Sequence, residues 1–409
     1  MPTIGSAPNG ENTSMDGTEK VPQSGSKFFK ISTLAAYLAT LAQTLTNKTL
    51  TAPTIVDFTN MNHTHAGASQ GGLLTINYNY LINGGFDFAQ RQAPGTLTTY
   101  ATGTYSADRW RGYTENASYQ YQRQDGTAEN GLTSKYFGAF KKITNTGKMF
   151  FFQIVEGVNT VPLRSKTVIF TCRMKASSSK TVRMGIFELQ NAGTIDTIPN
   201  PIITAAGANS TDPTMGANVA IITAAESKSV TTAMQNFSVS VTVPTNSKNL
   251  ICAVWTDSQF AANDILYTAE AGLYISAVNQ IWQPRLFTHE LLLCQRFYWS
   301  SFPVDVAPAT GSGTNVGALR FIAGKAGAAA ELGFFLLPSQ MFSTTPTATF
   351  YNPNVANAQV RDTSASADCS ATAAAANRSD KSMSITCTGN AGTAVGNALD
   401  VFVTLEAEL

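Results

Sequence analysis

Charge is scarce in this sequence. Only 13% of the 409 residues are Asp, Glu, Lys or Arg, against roughly 25% in an ordinary soluble domain. The 27 basic residues nearly balance the 26 acidic ones, so the composition does not indicate a nucleic-acid partner. No apolar run approaches the roughly 18 residues of a membrane-spanning helix, and the N-terminus does not resemble a signal peptide. We therefore expect neither nucleic-acid binding nor membrane insertion, and we expect assembly in a cytoplasm.

Catalytic and redox signatures are also sparse. The five cysteines show no CxxC spacing, which predicts buried free thiols in a reducing cytosol. Only Cys369 and Cys387 lie in one small module, and a bridge between them is the alternative. The sequence has no HExxH or P-loop motif. We expect no enzymatic activity and assign no catalytic residue, although two carboxylates suffice for a glycosidase and sequence spacing does not exclude such a pair.

Two of the three histidines stand in the segment 62–72. In an extended strand His63 and His65 would point to the same face, and one chain would supply only half of a closed metal site because His289 lies far along the sequence. Three parallel copies about a threefold axis would supply six imidazoles. That octahedral set fits iron or nickel better than zinc. Two solvated histidines are the alternative.

The N-terminal part divides into an arm, a short helix and a stalk. Residues 1–26 are rich in Gly, Ser, Asn and Pro, with room for one short strand at 17–22. Ser32 is placed to cap a helix of about ten residues, which is too short to be stable alone. Its apolar face needs a partner, either the other copies in a trimer or the surface of a larger particle. Residues 46–72 are rich in Thr, lack a helical period and predict an extended stalk.

From residue 73 onward the sequence alternates in short strands separated by turn residues. In the segment 166–174, Val168, Phe170, Cys172 and Met174 lie opposite a more polar face, as in a half-buried strand. We predict strands at 166–174, 180–188, 237–243, 249–255 and 272–277, and further along at 318–323, 331–337, 347–351, 382–387 and 399–405. Residues 200–232 lack aromatics and predict a long loop, and residues 290–299 predict a helical turn that leads into a strand. The pattern indicates an antiparallel sandwich followed by a second β-rich unit.

The candidate ligand-binding residues are aromatic. Tyr119 and Tyr121 share a strand face with Arg123 and, together with Tyr113, could stack on sugar rings. Trp110, beside a charged pair, is a further candidate. The alternatives are that the tyrosines are ordinary sheet cover and that Trp110 is buried next to a paired Asp and Arg.

Several motifs together resemble those of bacteriophage fibre and receptor-binding proteins. They are the stalk phrase 45–55, the Asn-His-Thr-His-Ala-Gly run 62–67, the segments 83–92 and 105–111, the Trp-Gln-Pro-Arg run 282–285, and the segment 290–298. The resemblance implies that His63 and His65 from three chains hold an iron ion on the trimer axis. It also implies a jelly-roll, carbohydrate-binding-like body and attachment to the virion through the N-terminus.

These observations give one hypothesis for the whole chain. The fold class is mainly β, with a virion-attachment arm and short helix at 1–45, an extended trimeric stalk at 46–72, an antiparallel β-sandwich at 73–289 and a C-terminal distal β domain at 290–409. The expected function is that of a homotrimeric phage virion fibre that recognises the host surface through a glycan. A head fibre or capsid decoration protein without a specific receptor, and a tailspike depolymerase, are the alternatives.

Overall fold

The computed structural model describes residues 20–23, 27–30, 78–129, 131–144, 147–208, 211–223, 226–256, 260–372 and 374–409. Its contacts divide the chain into two compact units, residues 1–73 and 74–409. In the first unit an antiparallel hairpin joins Lys20–Gln23 (β1) to Lys27–Lys30 (β2). The short strand predicted at 17–22 is therefore confirmed.

The predicted helix after Ser32 lies outside the described residues. The same is true of the stalk at 46–72, including His63 and His65. The helix, the stalk and the metal site stay predictions.

The structure is mainly β, with 42% strand and 5% helix, as the sequence predicted. In chain order, the strands of the sandwich are Thr98–Ala101 (β3), Thr104–Tyr105 (β4), Arg111–Thr114 (β5), Ser118–Asp125 (β6), Tyr136–Lys141 (β7), Met149–Val155 (β8), Thr167–Ala176 (β9), Lys180–Leu189 (β10), Ile203–Ala205 (β11), Thr214–Met215 (β12), Val219–Ile221 (β13), Glu226–Val230 (β14), Gln235–Thr242 (β15), Asn249–Thr256 (β16) and Ile265–Ile275 (β17). A short helix, Gly157–Thr160 (α1), and a 3₁₀ helix, Val161–Leu163, follow β8.

Two antiparallel sheets form the sandwich. One has the order β15-β9-β17-β7-β6-β3, and we call it the cleft sheet. The other has the order β13-β10-β16-β8-β5-β4, with β14 also paired to β10, and we call it the support sheet. Strand β9 shows how the sequence sets the faces: Val168, Phe170, Cys172 and Met174 are all buried in the core between the sheets. The facing predicted from the alternation in 166–174 is therefore confirmed.

The outer face of the support sheet is also buried. Phe150, Phe152 and Trp255 on that face pack against Ile202 and Val219 from the segment between β10 and β14. A sheet covered on both faces explains why every residue of β8 and β16 is buried. The prediction of a long loop at 200–232 is wrong, because this segment contributes four short strands and covers aromatic surface that would otherwise meet water.

A second β unit follows the sandwich. Its helix is Phe287–Gln295 (α2), and its strands are Tyr298–Ser300 (β18), Leu319–Ile322 (β19), Ala330–Leu336 (β20), Thr347–Tyr351 (β21), Gln359–Asp362 (β22), Ala367–Thr372 (β23), Ala374–Ala376 (β24), Ser382–Thr388 (β25) and Ala398–Glu406 (β26). Strand β26 pairs with β18, β19, β21 and β22, and β25 lies between β20 and β24. The helical turn predicted ahead of a strand at 290–299 is confirmed as α2 and β18.

Each strand predicted from the sequence overlaps an observed strand. The predicted domain division between residues 289 and 290 falls inside α2 and stays a prediction. Within the described part of the chain, no helix is both long and apolar enough to span a membrane.

Candidate functional site

A cleft of about 340 Å³ lies on the outer face of the cleft sheet. Strands β15, β9 and β17, which are neighbours in the sheet, provide its floor, and the segment after β17 provides a wall. The lining residues are Thr171, Arg173, Asn236, Glu270, Asn279, Gln280, Ile281 and Trp282. The outer face of the support sheet is covered by other segments. The cleft lies on the outer face of the other sheet, where polar side chains remain accessible.

A β-bulge positions the acidic residue of the cleft. Strand β17 loses its register with β9 between Ala269 and Gly272, and Glu270 adopts a left-handed φ of 48° there. A bulge changes the direction of the side chain that it carries. The Glu270 carboxylate accepts hydrogen bonds from the Thr133 hydroxyl (2.8 Å), the Ser134 N–H (2.9 Å) and the Thr133 N–H. Glu270 thus fixes the β6–β7 loop at the edge of the cleft.

Arg173 is the cation of the cleft. Its guanidinium donates to the carbonyl oxygen of Gly131 in the β6–β7 loop and lies 3.4 Å from the Glu270 carboxylate. A side chain at position 131 would meet the guanidinium, because an added Cβ would lie 3.1 Å from it, and the φ of +82° also favours glycine there. The Arg173 Nε is buried and has no hydrogen-bond partner among the described residues. The structure therefore holds a fixed cation in the cleft.

Amides and one apolar side chain complete the lining. Asn236 on β15 and Asn279 after β17 are exposed, and Ile281 is 75% exposed. Trp282 is buried, with its ring so close to Gly85 that an added Cβ there would lie 2.9 Å from it. The cleft thus combines hydrogen-bonding groups with an accessible apolar surface. That combination suits a ligand with both hydroxyl groups and C–H faces.

The predicted stacking platform on β6 does not exist. Tyr119, Tyr121 and Arg123 do share a face, but that face points into the core, where the two tyrosines are 1% and 0% exposed. The Tyr119 hydroxyl donates to the Thr104 carbonyl (2.9 Å), and burial raises its pKa to about 12. Arg123 forms an ion pair with Asp305. The prediction is wrong because burying two large rings stabilises the fold, and the glutamines that alternate with them take the outer face.

Trp110 and Tyr113 do not join the cleft either. Trp110 is buried, stacks on Phe86 with ring centroids 5.1 Å apart, and donates its indole N–H to the Asn83 carbonyl (3.0 Å). Its assignment as a sugar-binding residue is wrong. Tyr113 is half-buried on β5 in the support sheet, where it packs edge-to-face on Phe150. It lies on the other sheet from the cleft.

Asn83 organises a buried junction built from the motifs that carry the resemblance. Its side chain donates to the carbonyls of Phe88 (2.7 Å) and Asp108 (2.9 Å) and accepts from the Phe88 N–H (3.0 Å). Its backbone N–H donates to the Glu290 carboxylate, and its carbonyl accepts from Trp110. We call these five residues the motif junction. They bring together the segments 83–92, 105–111 and 290–298.

Charged groups around the motif junction are paired internally. Arg285 contacts the Glu290 carboxylate at 2.9 Å, and Gln90 donates to Asp108 (2.6 Å) and to the Tyr298 carbonyl (3.0 Å). Burial raises the pKa of Asp108, although Arg91 and Gln90 counteract it. The segments 83–92, 105–111 and 290–298 therefore maintain the connection between the sandwich and the C-terminal strands.

The described residues contain no group of three or more His, Cys, Asp or Glu side chains that could hold a metal ion. His289 is exposed on α2. The iron expected at His63 and His65 concerns residues outside the described part of the chain.

No family model and no curated protein matches the chain. Among solved structures it is similar to TmCBM61 in complex with β-1,4-galactotriose, with a TM-score of 0.29 and 11% identity over 49% of this chain and 99% of that chain. It is also similar to the enzymatically active domain of tailspike protein 4 of bacteriophage CBA120, with a TM-score of 0.28 and 13% identity over 48% of this chain and 21% of that chain. A xylan-binding domain from CBM 22 gives a TM-score of 0.27 and 11% identity over 46% of this chain and 98% of that chain. At such low scores and identities these similarities establish neither a ligand nor an activity.

Proposed function

We propose that this chain is a bacteriophage virion fibre protein that recognises the host surface by binding a glycan in the cleft of the cleft sheet. The observation that carries the glycan-binding part is the cleft lining, in which Arg173 and two exposed asparagines face an exposed isoleucine. Sugar hydroxyls accept and donate hydrogen bonds, and the C–H face of a pyranose ring packs on apolar surface. The assignment to a virion and to host adsorption is supported by the sequence resemblance of residues 45–298.

A binding role fits the cleft better than a catalytic one. Both stereochemical classes of ordinary glycosidase need two carboxyl groups about the scissile bond. Among the described residues that line the cleft, Glu270 is the one acidic residue. Its Oε1 already accepts from Thr133 and Ser134, and its Oε2 lies 3.4 Å from Arg173. We therefore propose that the protein binds glycan without cleaving it. Release of reducing sugar from a bound polysaccharide would instead favour the tailspike depolymerase.

Substituting Arg173 by alanine should weaken glycan binding about 10- to 100-fold, because a hydrogen bond to a charged group contributes roughly 1.5–3 kcal/mol. The measurement is titration calorimetry with a polysaccharide selected from a panel of neutral and acidic bacterial surface glycans. Asn236→Ala, which removes one exposed amide from the cleft floor, should weaken binding by a smaller factor.

Asn246→Ala is the matched control, since Asn246 is an equally exposed amide outside the cleft. It should bind like the parent. If no polysaccharide in the panel binds, or if Arg173→Ala and Asn246→Ala bind equally well, the cleft is not the glycan site. A phage that carries Arg173→Ala and still adsorbs normally would favour the decoration protein.

We further propose that the fibre is a homotrimer attached to a phage tail or capsid protein through residues 1–45. The stalk pattern at 46–72 supports this proposal, because such a segment has no core of its own. A second support is the row formed by Leu332, Phe334 and Leu336, which are 61%, 62% and 75% exposed on one face of β20. Contiguous exposed apolar surface of this kind is typical of interaction sites.

The trimer should contain about one metal ion, held by His63 and His65 of three chains, and the donor set suits iron. Light scattering should give about three times the chain mass of 43.5 kDa, and elemental analysis should detect the ion. Replacing both histidines by alanine should abolish the bound metal and add an early stalk transition to thermal unfolding, while the sandwich stays folded. Acidification below the reference histidine pKa of about 6.5 should favour metal release. A stable monomer, or a trimer without metal that melts like the double variant, would contradict the proposal.

A further inference from the structure

Two buried thiols of the C-terminal strands lie in contact. The Sγ atoms of Cys369 on β23 and Cys387 on β25 are 3.7 Å apart, and the residues are 1% and 5% exposed. The other cysteines are buried elsewhere, Cys172 and Cys252 in the sandwich core and Cys294 in α2. No other pair of cysteine sulfurs within the described ranges is in contact.

The geometry of this pair suits a covalent bond. A disulfide needs the sulfur atoms about 2.05 Å apart, so the two Sγ atoms, now 3.7 Å apart, must approach by roughly 1.7 Å when the bond forms. Both cysteines belong to the same core cluster as Val360, Met383 and Ile385. The two strands belong to different sheets, β23 beside β22 and β25 between β20 and β24, and both cysteines pack into the core cluster that these strands share.

We propose that Cys369 and Cys387 are a redox modification site that is reduced during assembly in a cytoplasm and becomes an intramolecular disulfide on exposure to a small peroxide. One thiolate attacks hydrogen peroxide, forming a sulfenic acid and releasing hydroxide. The second thiol then attacks that sulfur, an S–S bond forms, and water leaves. In total two thiols and one peroxide give one disulfide and two waters, so the thiols lose two electrons and the peroxide gains them.

Burial decides which oxidant reaches the site. A peroxide is close in size to water and can reach sulfur atoms that are nearly inaccessible, whereas a bulky disulfide oxidant requires the strands to open. Contact between the thiols favours the disulfide over further oxidation, because the second thiol is already beside the sulfenic acid when it forms. The new bond closes the chain between positions 18 residues apart, which restricts the unfolded state.

The test is peptide mapping of the full-length protein after treatment with one equivalent of hydrogen peroxide. The intact chain should lose about 2 Da. Trypsin should release residues 362–378 joined to residues 382–409, and a reductant should separate the two peptides. The thermal transition of the C-terminal strands should rise by roughly 5 °C or more on oxidation and return on reduction.

Cys172→Ser is the matched control and should retain the cross-linked peptide. Cys369→Ser should lose both the cross-link and the thermal shift, and a dimedone adduct should then appear on Cys387 when the oxidised protein is unfolded in the presence of dimedone. The proposal is overturned if peroxide leaves both thiols unchanged, converts either to a sulfinic or sulfonic acid, or joins one of them to a different cysteine. The mapping of the parent protein decides this even if a serine variant fails to fold.

Discussion

Replacing Asn83 by alanine should lower the free energy of unfolding by about 4 kcal/mol. The substitution removes three buried hydrogen bonds, those to Phe88 and to the Asp108 carbonyl. It leaves the Phe88 N–H and the Asp108 carbonyl without a partner, whereas the Phe88 carbonyl still accepts from the Asp108 N–H (3.3 Å). Each unsatisfied buried group costs roughly 1–3 kcal/mol. Asn83 also has a left-handed φ of 57°, which asparagine tolerates better than alanine. Denaturant titration followed by tryptophan fluorescence measures the change.

Two further variants separate the causes of this loss. Asn83→Gly keeps the left-handed backbone accessible but removes the side chain, so it should be less destabilising than Asn83→Ala by about 1 kcal/mol. Asn236→Ala removes an exposed amide and should change the stability by less than about 0.5 kcal/mol. If Asn83→Ala is as stable as Asn236→Ala, the motif junction does not hold the sandwich to the C-terminal strands.

The motif junction explains why the sequence indicated a class of protein without indicating a site. Three of the segments that resemble fibre proteins, 83–92, 105–111 and 290–298, are brought together in the interior by Asn83, Trp110 and Glu290. Their contacts are internal, so Trp110, the ligand candidate among them, is buried. The positions of the strands were predictable for a different reason. In β9 an apolar face alternates with a polar one, and that period alone fixes both the strand and its orientation.

Strand β6 shows how the same rule was misapplied. Tyr119 and Tyr121 alternate with Gln120 and Gln122, and the period predicts tyrosine inside and glutamine outside, as the structure has them.

The cleft could not be located from the sequence in the same way. Arg173 and Glu270 lie 97 positions apart, and they meet only because β9 and β17 are neighbours and a bulge redirects Glu270. The one available signal was the polar face of β9, which already placed Thr171 and Arg173 outward.

Removing the Glu408 carboxylate should lower the free energy of unfolding about as much as Asn83→Ala does. The Glu408 side chain, 3% exposed, forms an ion pair with Arg109, which is 1% exposed. Arg109 also donates to the Ile154 carbonyl (2.8 Å) and lies 3.4 Å above the Phe297 ring, so its guanidinium cannot turn to solvent when the carboxylate is lost. Breaking a buried ion pair by removing one partner costs about 3–5 kcal/mol. Glu408→Ala should therefore lower the midpoint of thermal unfolding by roughly 10 °C.

Glu406 provides the matched control, because it lies two residues away and contacts the same Arg91, at 3.4 Å against 3.2 Å for Glu408. Its side chain is 50% exposed, and exposed ion pairs contribute only about 0–1 kcal/mol, so Glu406→Ala should melt close to the parent. If the cost of Glu408→Ala is an uncompensated charge, the double variant Arg109→Met with Glu408→Leu should regain most of the lost stability, since replacing both partners of a buried pair by apolar residues is often neutral. A double variant as unstable as Glu408→Ala would show that the C-terminal residues act through shape and not through charge. Equal melting of the two single glutamate variants would show that Glu408 is not buried against Arg109 in solution.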